Sequence, residues 1–162
     1  MKVYFDTNIV SCMINNDLLE EEITAIEQIL SIWNSGTIEI RTSKITEDEL
    51  KNIPNESKTN HLAIYKLIRK VPLIPQVTTN SGLTLMGVGG GNKEDPLYTQ
   101  IKKLLELNDA NHMFQAIKNN MDIFLTADKK IINKNNAIKQ LAKIEAVKPT
   151  QLLHLLLDKI TS

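Results

Sequence analysis

The chain has 162 residues, enough to bury one sizeable core and too few for two ordinary ones. Hydrophobic residues make up 42% and charged ones 23%, which excludes wholesale disorder, and no apolar stretch approaches the length of a bilayer span. Lys plus Arg and Asp plus Glu balance at 19 each, so no overall positive field draws in nucleic acid from a distance and any affinity for phosphate is local. The single Cys12 has no partner for an internal disulfide and sits among Ile9, Val10, Met13 and Ile14, an ordinary packing site. Met1 leads almost straight into an apolar run, without a basic region and a small-residue cleavage site, so a cytoplasmic protein folded as one domain over 1–162 is expected.

Val3-Tyr4-Phe5 reads as a strand, and Asp6-Thr7-Asn8, all helix-capping types, turn it into a helix. Asp17 and Glu20 form a capping-box-like start for a long amphipathic helix through Leu18, Ile23, Ile26, Leu30 and Trp33, ended by Gly36. Thr37 to Thr42 alternates apolar and polar as a second strand, and a short helix over Thr46 to Leu50 stops before Pro54. A helical pattern from Ser57 through Leu62, Tyr65 and Ile68 is broken by Pro72 and Pro75, within an extended Val71 to Val77. The stretch 80–94, with Gly82, Gly87, Gly89, Gly90 and Gly91, reads as a flexible loop insertion. Asp95-Pro96 caps and opens the next helix, Asp109 starts another with Met113, Ala116 and Ile117 on its buried face, and Asn119-Asn120 end it. Asp122 to Leu125 is a compact strand closed by Thr126-Ala127-Asp128; Ile144 to Val147 reads as a last strand, after which Pro149-Thr150 launch a leucine-rich helix. Strands alternating with helices predict an α/β fold, a central, mostly parallel sheet between two helical layers with right-handed crossovers.

In a βαβ unit the end of a strand and the start of the next helix lie at the same sheet edge. Asp6, Glu49, Asp109 and Asp128 therefore all fall at the carboxyl edge, where open α/β sheets bind ligands. Each acid has a structural reading: Asp6 as a cap, Glu49 as the back-bonding partner of a Thr46-x-x-Glu49 capping box, Asp109 as an N-cap, Asp128 as a turn aspartate. Four carboxylates gathered at one edge repel one another unless a cation lies between them, and an oxygen-rich set without Cys or paired His suits Mg²⁺ or Mn²⁺ rather than zinc. Lys44, Lys129, Lys130 and Lys134 flank the same edge, where backbone phosphates would meet them. His61, His112 and His154 show no ligand spacing, and His112 reads as a helix-surface residue near the site. Gly87 to Lys93 lacks the ending of a phosphate-cradling loop, and Asn8 stands where an aspartyl-phosphate enzyme needs its second aspartate.

The segments VYFDTNIV, ITEDEL, NDANHMFQAI and IFLTADKKI, taken in this order and spacing, resemble the PIN domain family over nearly the whole chain. The resemblance implies a Rossmann-like three-layer α/β/α fold with Asp6, Glu49, Asp109 and Asp128 as metal ligands and Asn8 and Thr126 as polar supports. Glu47 is the rival to Glu49, which is preferred because family members usually place the acid just before an apolar residue, here Leu50. Asn111 stands where many members carry a further acid. The implied activity is that of an Mg²⁺- or Mn²⁺-dependent endoribonuclease, in which Asp6 and Asp109 hold the principal ion, Asp128 and Glu49 complete the site, and metal-activated water attacks RNA. Many such small bacterial domains are toxins of toxin-antitoxin pairs, so RNA, a small antitoxin protein and a homodimer are the implied partners. The rival reading is a catalytically weak or inactive module that keeps the fold and acts through RNA or protein contact.

Overall fold

The computed structural model describes residues 1–53, 62–81 and 93–161. In chain order they form β1 (Lys2–Phe5), α1 (Asn8–Ile14), α2 (Glu20–Asn34), β2 (Glu39–Arg41), α3 (Lys44–Lys51), α4 (Leu62–Ile68), β3 (Asn80–Ser81), β4 (Lys93–Glu94), α5 (Pro96–Leu104) and α6 (Leu107–Lys118). The remainder is β5 (Ile123–Leu125), α7 (Lys129–Asn133), α8 (Asn135–Ala142), β6 (Glu145–Val147) and α9 (Pro149–Thr161). Among the described residues β1, β2, β5 and β6 make one four-stranded sheet in the order β2-β1-β5-β6, every pair parallel.

Side chains on a strand alternate between its faces, and the sheet sorts them into two cores. Val3, Phe5, Ile40, Ile123, Leu125 and Val147 pack on one face with Ile9, Ile26, Ile68 and Leu152 from α1, α2, α4 and α9. Tyr4, Phe124 and Ala146 pack on the other with Ile101, Met113, Phe114, Ile131 and Ile138 from α5 to α8. The result is the expected three-layer α/β/α arrangement. From β1 the chain moves to β2 on one side and later returns to β5 on the other, so the strand order reverses between β1 and β5, where open parallel sheets form their ligand crevice. No helix among the described residues is long and apolar enough to cross a membrane.

Several local expectations are corrected. Asn16 adopts a left-handed conformation (φ 57°) and the Asp17 N–H donates to the Cys12 carbonyl at 2.8 Å, so Asp17 closes α1 instead of capping α2. The N-cap of α2 is Leu19, with no side-chain cap bond, and Glu20, Glu21 and Glu22 meet the positive helix terminus instead. Thr46 lies buried inside α3 behind the N-cap Ser43, so the Thr46-x-x-Glu49 box does not form and Glu49 sits in the second turn. Asp109 likewise lies in the first turn of α6, behind the N-cap Glu106. Val71 to Val77 contributes one parallel bridge, Thr42 to Leu73, rather than a strand, because Pro72 and Pro75 lack the N–H groups a ladder needs. Ser57 and the glycines of the 80–94 stretch lie outside the described residues; the ends of that stretch pair as the antiparallel β3 and β4.

Candidate active site

Asp6 follows β1 and Thr126 follows β5, the two strands flanking the switch point. The Asp6 N–H donates to the Leu125 carbonyl at 3.0 Å, and the Thr126 hydroxyl donates to Asp6 Oδ2 at 2.6 Å. Asp6 is only 4% exposed; burial pushes its carboxyl pKa up, against the opposing pull of His112 and the Thr126 hydrogen bond. Because α1 begins immediately after Asp6, it brings Thr7, Asn8 and Ser11 to the same place. Opposite them α3 supplies Glu49, and α6 supplies Asn108, Asp109 and His112 from one turn. These residues enclose a cleft of about 300 Å³. Larger hollows of about 340 and 480 Å³ lie between α3 and α4 and beside β6, but neither gathers more than two carboxylates, whereas the cleft at the strand ends gathers three.

The acids in the cleft are held differently. Glu49 Oε1 accepts from Asn108 Nδ2 at 2.8 Å, and Oε2 lies 3.3 Å from His112 Nε2. Burial raises the Glu49 pKa, but the combined pull of His112, Thr7 and Asn108 outweighs it and holds the carboxyl at about 2. Among the described residues Asp109 has no such donors. Burial first, then the charges of Asp128, Asp6 and Glu106, push it up to about 6. His112 is 2% exposed; burial lowers its pKa, and Glu49, Asp6 and Asp109 more than reverse that. His112 Nδ1 lies 2.8 Å from the Tyr4 hydroxyl, which donates to Ser43 Oγ at 2.6 Å. His112 Nε2 and Thr7 Oγ1 are buried and act on the Glu49 carboxylate, but among the described residues neither atom makes a well-aligned hydrogen bond. Among the described residues, no three His, Cys, Asp or Glu side chains stand close enough together to grip one metal ion as they are now arranged.

No family model, no curated protein and no solved structure matches the chain. Its geometry and chemistry alone bear on what the cleft does.

Of the residues expected at the site, Asp6, Asn8, Glu49 and Asp109 line the cleft, and Thr126 supports Asp6 from behind. Glu47 turns away to Lys44 and Lys51, which settles the choice between it and Glu49 for the cleft wall. Asp128 takes its structural role: it caps α7, Oδ1 accepting from the Lys130 N–H at 2.7 Å, and it stands outside the cleft lining while still raising Asp109. Asn111 faces α5, where its Oδ1 accepts from the Tyr98 hydroxyl, because it sits two residues beyond Asp109 on another side of the helix. Lys44 is tied to Glu47 and Asp48, whereas Lys129 is exposed and Lys130 pairs with Glu106 at 2.6 Å. A second groove of about 300 Å³, lined by Lys130 and Lys134, shares Asp109 with the cleft.

His112 is the main correction, since the expected surface residue is buried against Tyr4. The spacing Asp109-x-x-His112 puts both on one helix face, which was the available signal for it. Asn108, Thr7 and Ser11 were also missed; their types are common at helix starts and carried no distinguishing pattern. Cys12 is half-buried, and its thiol donates to Asn8 Oδ1 at 3.3 Å.

Proposed function

We propose that the protein is a divalent-metal-dependent ribonuclease of the kind its PIN-like segments suggest, working at the cleft formed by Asp6, Glu49 and Asp109. The observation that carries this reading is that three carboxylates from separate elements line one cleft at the switch point, one of them raised to about 6 by burial and by its acidic neighbours. A purely structural site has no reason to keep Asp109 beside Asp6 and Asp128 without an ion-pair partner among the described residues. The donor types fit a hard cation: carboxylates with the side-chain oxygens of Asn8, Ser11 and Asn108 around them. A hard cation at a phosphoryl site is commonly held by one or two carboxylates, with water and substrate oxygens completing its shell, so a preformed three-ligand cage is not required.

Asp6 and Asp109 would hold the ion, Glu49 would bound the cleft from the α3 side, and Thr126 would keep Asp6 oriented. Bound there, a divalent ion lowers the pKa of water and neutralises charge on the phosphate. Lys130 and Lys134 would receive a neighbouring phosphate in the groove that continues past Asp109. The rival is a module that binds RNA or protein without cutting, favoured by the ties that already occupy Glu49. Incubation with assorted RNAs in Mg²⁺, Mn²⁺ or chelator, beside D109N, separates the two. Metal-dependent cleavage by wild type alone is expected; cleavage that persists in chelator, or none under any condition, removes the nuclease reading.

A further inference from the structure

We infer that His112 is a nitrogen ligand at this cleft, pairing with Glu49 to hold a first-row transition cation such as Mn²⁺ in preference to Mg²⁺. The inference rests on the metal reading above, adds His112 and Glu49 to the shell of the ion that Asp6 and Asp109 would hold, and specifies that ion. Three observations on His112 converge.

The first is its hydrogen-bond pattern. The single hydroxyl proton of Tyr4 goes to Ser43 Oγ, so the Tyr4 oxygen is left to accept from His112 Nδ1, 2.8 Å away. With Nδ1 as the donor, a metal that displaces the second ring proton, which the neighbouring acids favour, finds the lone pair on Nε2. A histidine that binds metal through one nitrogen characteristically donates from the other to a fixed oxygen, and Tyr4 is such a partner. The second is the state of Nε2 itself: the side chain is 2% exposed and stands in the wall of the acid cleft, and the atom faces the Glu49 carboxylate at 3.3 Å without the alignment of a hydrogen bond. Buried polar atoms are rarely left so. The third is spacing. Nε2 and Glu49 Oε2 are 3.3 Å apart without hydrogen-bond alignment. Two atoms each about 2.1 Å from one ion stand about 3.0 Å apart at a right angle and about 3.4 Å apart at the tetrahedral angle. The observed separation lies between these values.

Chemistry then selects the metal. Mg²⁺ favours an all-oxygen shell, whereas imidazole suits transition cations, so one nitrogen among carboxylates moves preference toward Mn²⁺ and its neighbours. Asp109, three residues before His112 on the same face of α6, is the nearest carboxylate on that helix to join the pair.

Mn²⁺ and Mg²⁺ titrations of wild type, H112Q and Y4F by calorimetry, together with pulsed EPR of the Mn²⁺-loaded protein, test this directly. Wild type should bind Mn²⁺ at least tenfold tighter than Mg²⁺ and show ¹⁴N coupling from a coordinated ring that changes on ¹⁵N-histidine labelling. H112Q should lose both the coupling and the preference, and Y4F, which keeps the ring of Tyr4, should weaken Mn²⁺ binding by roughly 10- to 100-fold. Labelled wild type shows that a histidine coordinates, and H112Q, with its fold checked by circular dichroism, assigns the coupling among the three histidines. Mn²⁺ bound without histidine nitrogen coupling, or coupling that survives in folded H112Q, overturns the inference while leaving the nuclease reading intact. Wild type that binds neither ion at millimolar concentration overturns both.

Discussion

Asp109 owes its raised pKa to where α6 sets it, half-buried and facing Asp128 and Asp6, with no hydrogen-bond donor among the described residues. A carboxyl raised from 3.8 to about 6 binds more protons in the folded than in the unfolded chain between those values. The Asp109 contribution to stability in chelator should therefore fall as pH rises from about 4 to about 6 and level off above it. D109N should flatten that fall and, at pH 7 without metal, stabilise the fold by about 1 kcal/mol once solvent screening is allowed for, while removing metal-induced stabilisation. Denaturant midpoints across that pH range check both parts; an unchanged pH profile would show that Asp109 is not charged against its neighbours. Thr126 presents the opposite case. T126V leaves Asp6 Oδ2 buried without its donor and should cost about 1 to 3 kcal/mol by denaturant unfolding. A cost near zero would mean that water reaches Asp6.

Among the elements, α5 has the clearest local code. Asp95 precedes Pro96, and its Oδ1 accepts from the Leu97 N–H at 2.9 Å, as the dipeptide predicts. The same carboxylate meets Lys118 of α6 at 2.7 Å, and that contact, above the helix cap, lowers its pKa. Since the folded pKa lies below the unfolded one, this contribution is present above about pH 4 and lost as acid protonates Asp95. D95A should cost about 1 kcal/mol near neutrality, and the loss should shrink below pH 4. D95N, which keeps a capping oxygen but not the charge, should recover most of it, and thermal unfolding of the two variants separates cap from ion pair. Elements with repeating apolar patterns or Gly and Pro punctuation, such as α2 ending at Gly36 (φ 83°), were legible in this way. The pair α7 and α8 was not, because two short Lys- and Asn-rich segments carry too few apolar repeats for a helical period to stand out. Capping boxes misled at Asp17 and Thr46 for a related reason: the same short polar side chains serve turns, caps and buried sites alike.

For the whole molecule, balanced charge leaves any attraction for phosphate to local arrangement. On the α3 side, Lys44 and Lys51 are each shared between Glu47 and Asp48. Past Asp109, Lys134 lines the adjoining groove and Lys130 is held only by an exposed pair with Glu106, of a kind that contributes little and exchanges readily. A nucleic-acid strand should therefore leave the cleft over α7. Anisotropy titrations of a labelled single strand in chelator should show K130A/K134A binding more weakly, with the log–log salt slope reduced by roughly 1.4 for two lost contacts. K44A/K51A should change little; the reverse result would place the strand over α3.

The sequence by itself determined the alternation of strands and helices, the parallel sheet with two helical layers, and the presence of Asp6, Glu49 and Asp109 at one edge. Period-two and period-3.6 patterns and βα order are properties of the chain, and they fix which residues follow a strand end. Only the tertiary structure decided what each acid does there. Asp128 spends an oxygen on a helix cap, Asn111 faces α5, Thr126 reaches across 120 residues to Asp6, and His112 is buried between Tyr4 and Glu49. Those outcomes depend on which neighbour lies within about 3 Å after packing, and a separation of that size between distant segments is written in no local stretch of residues.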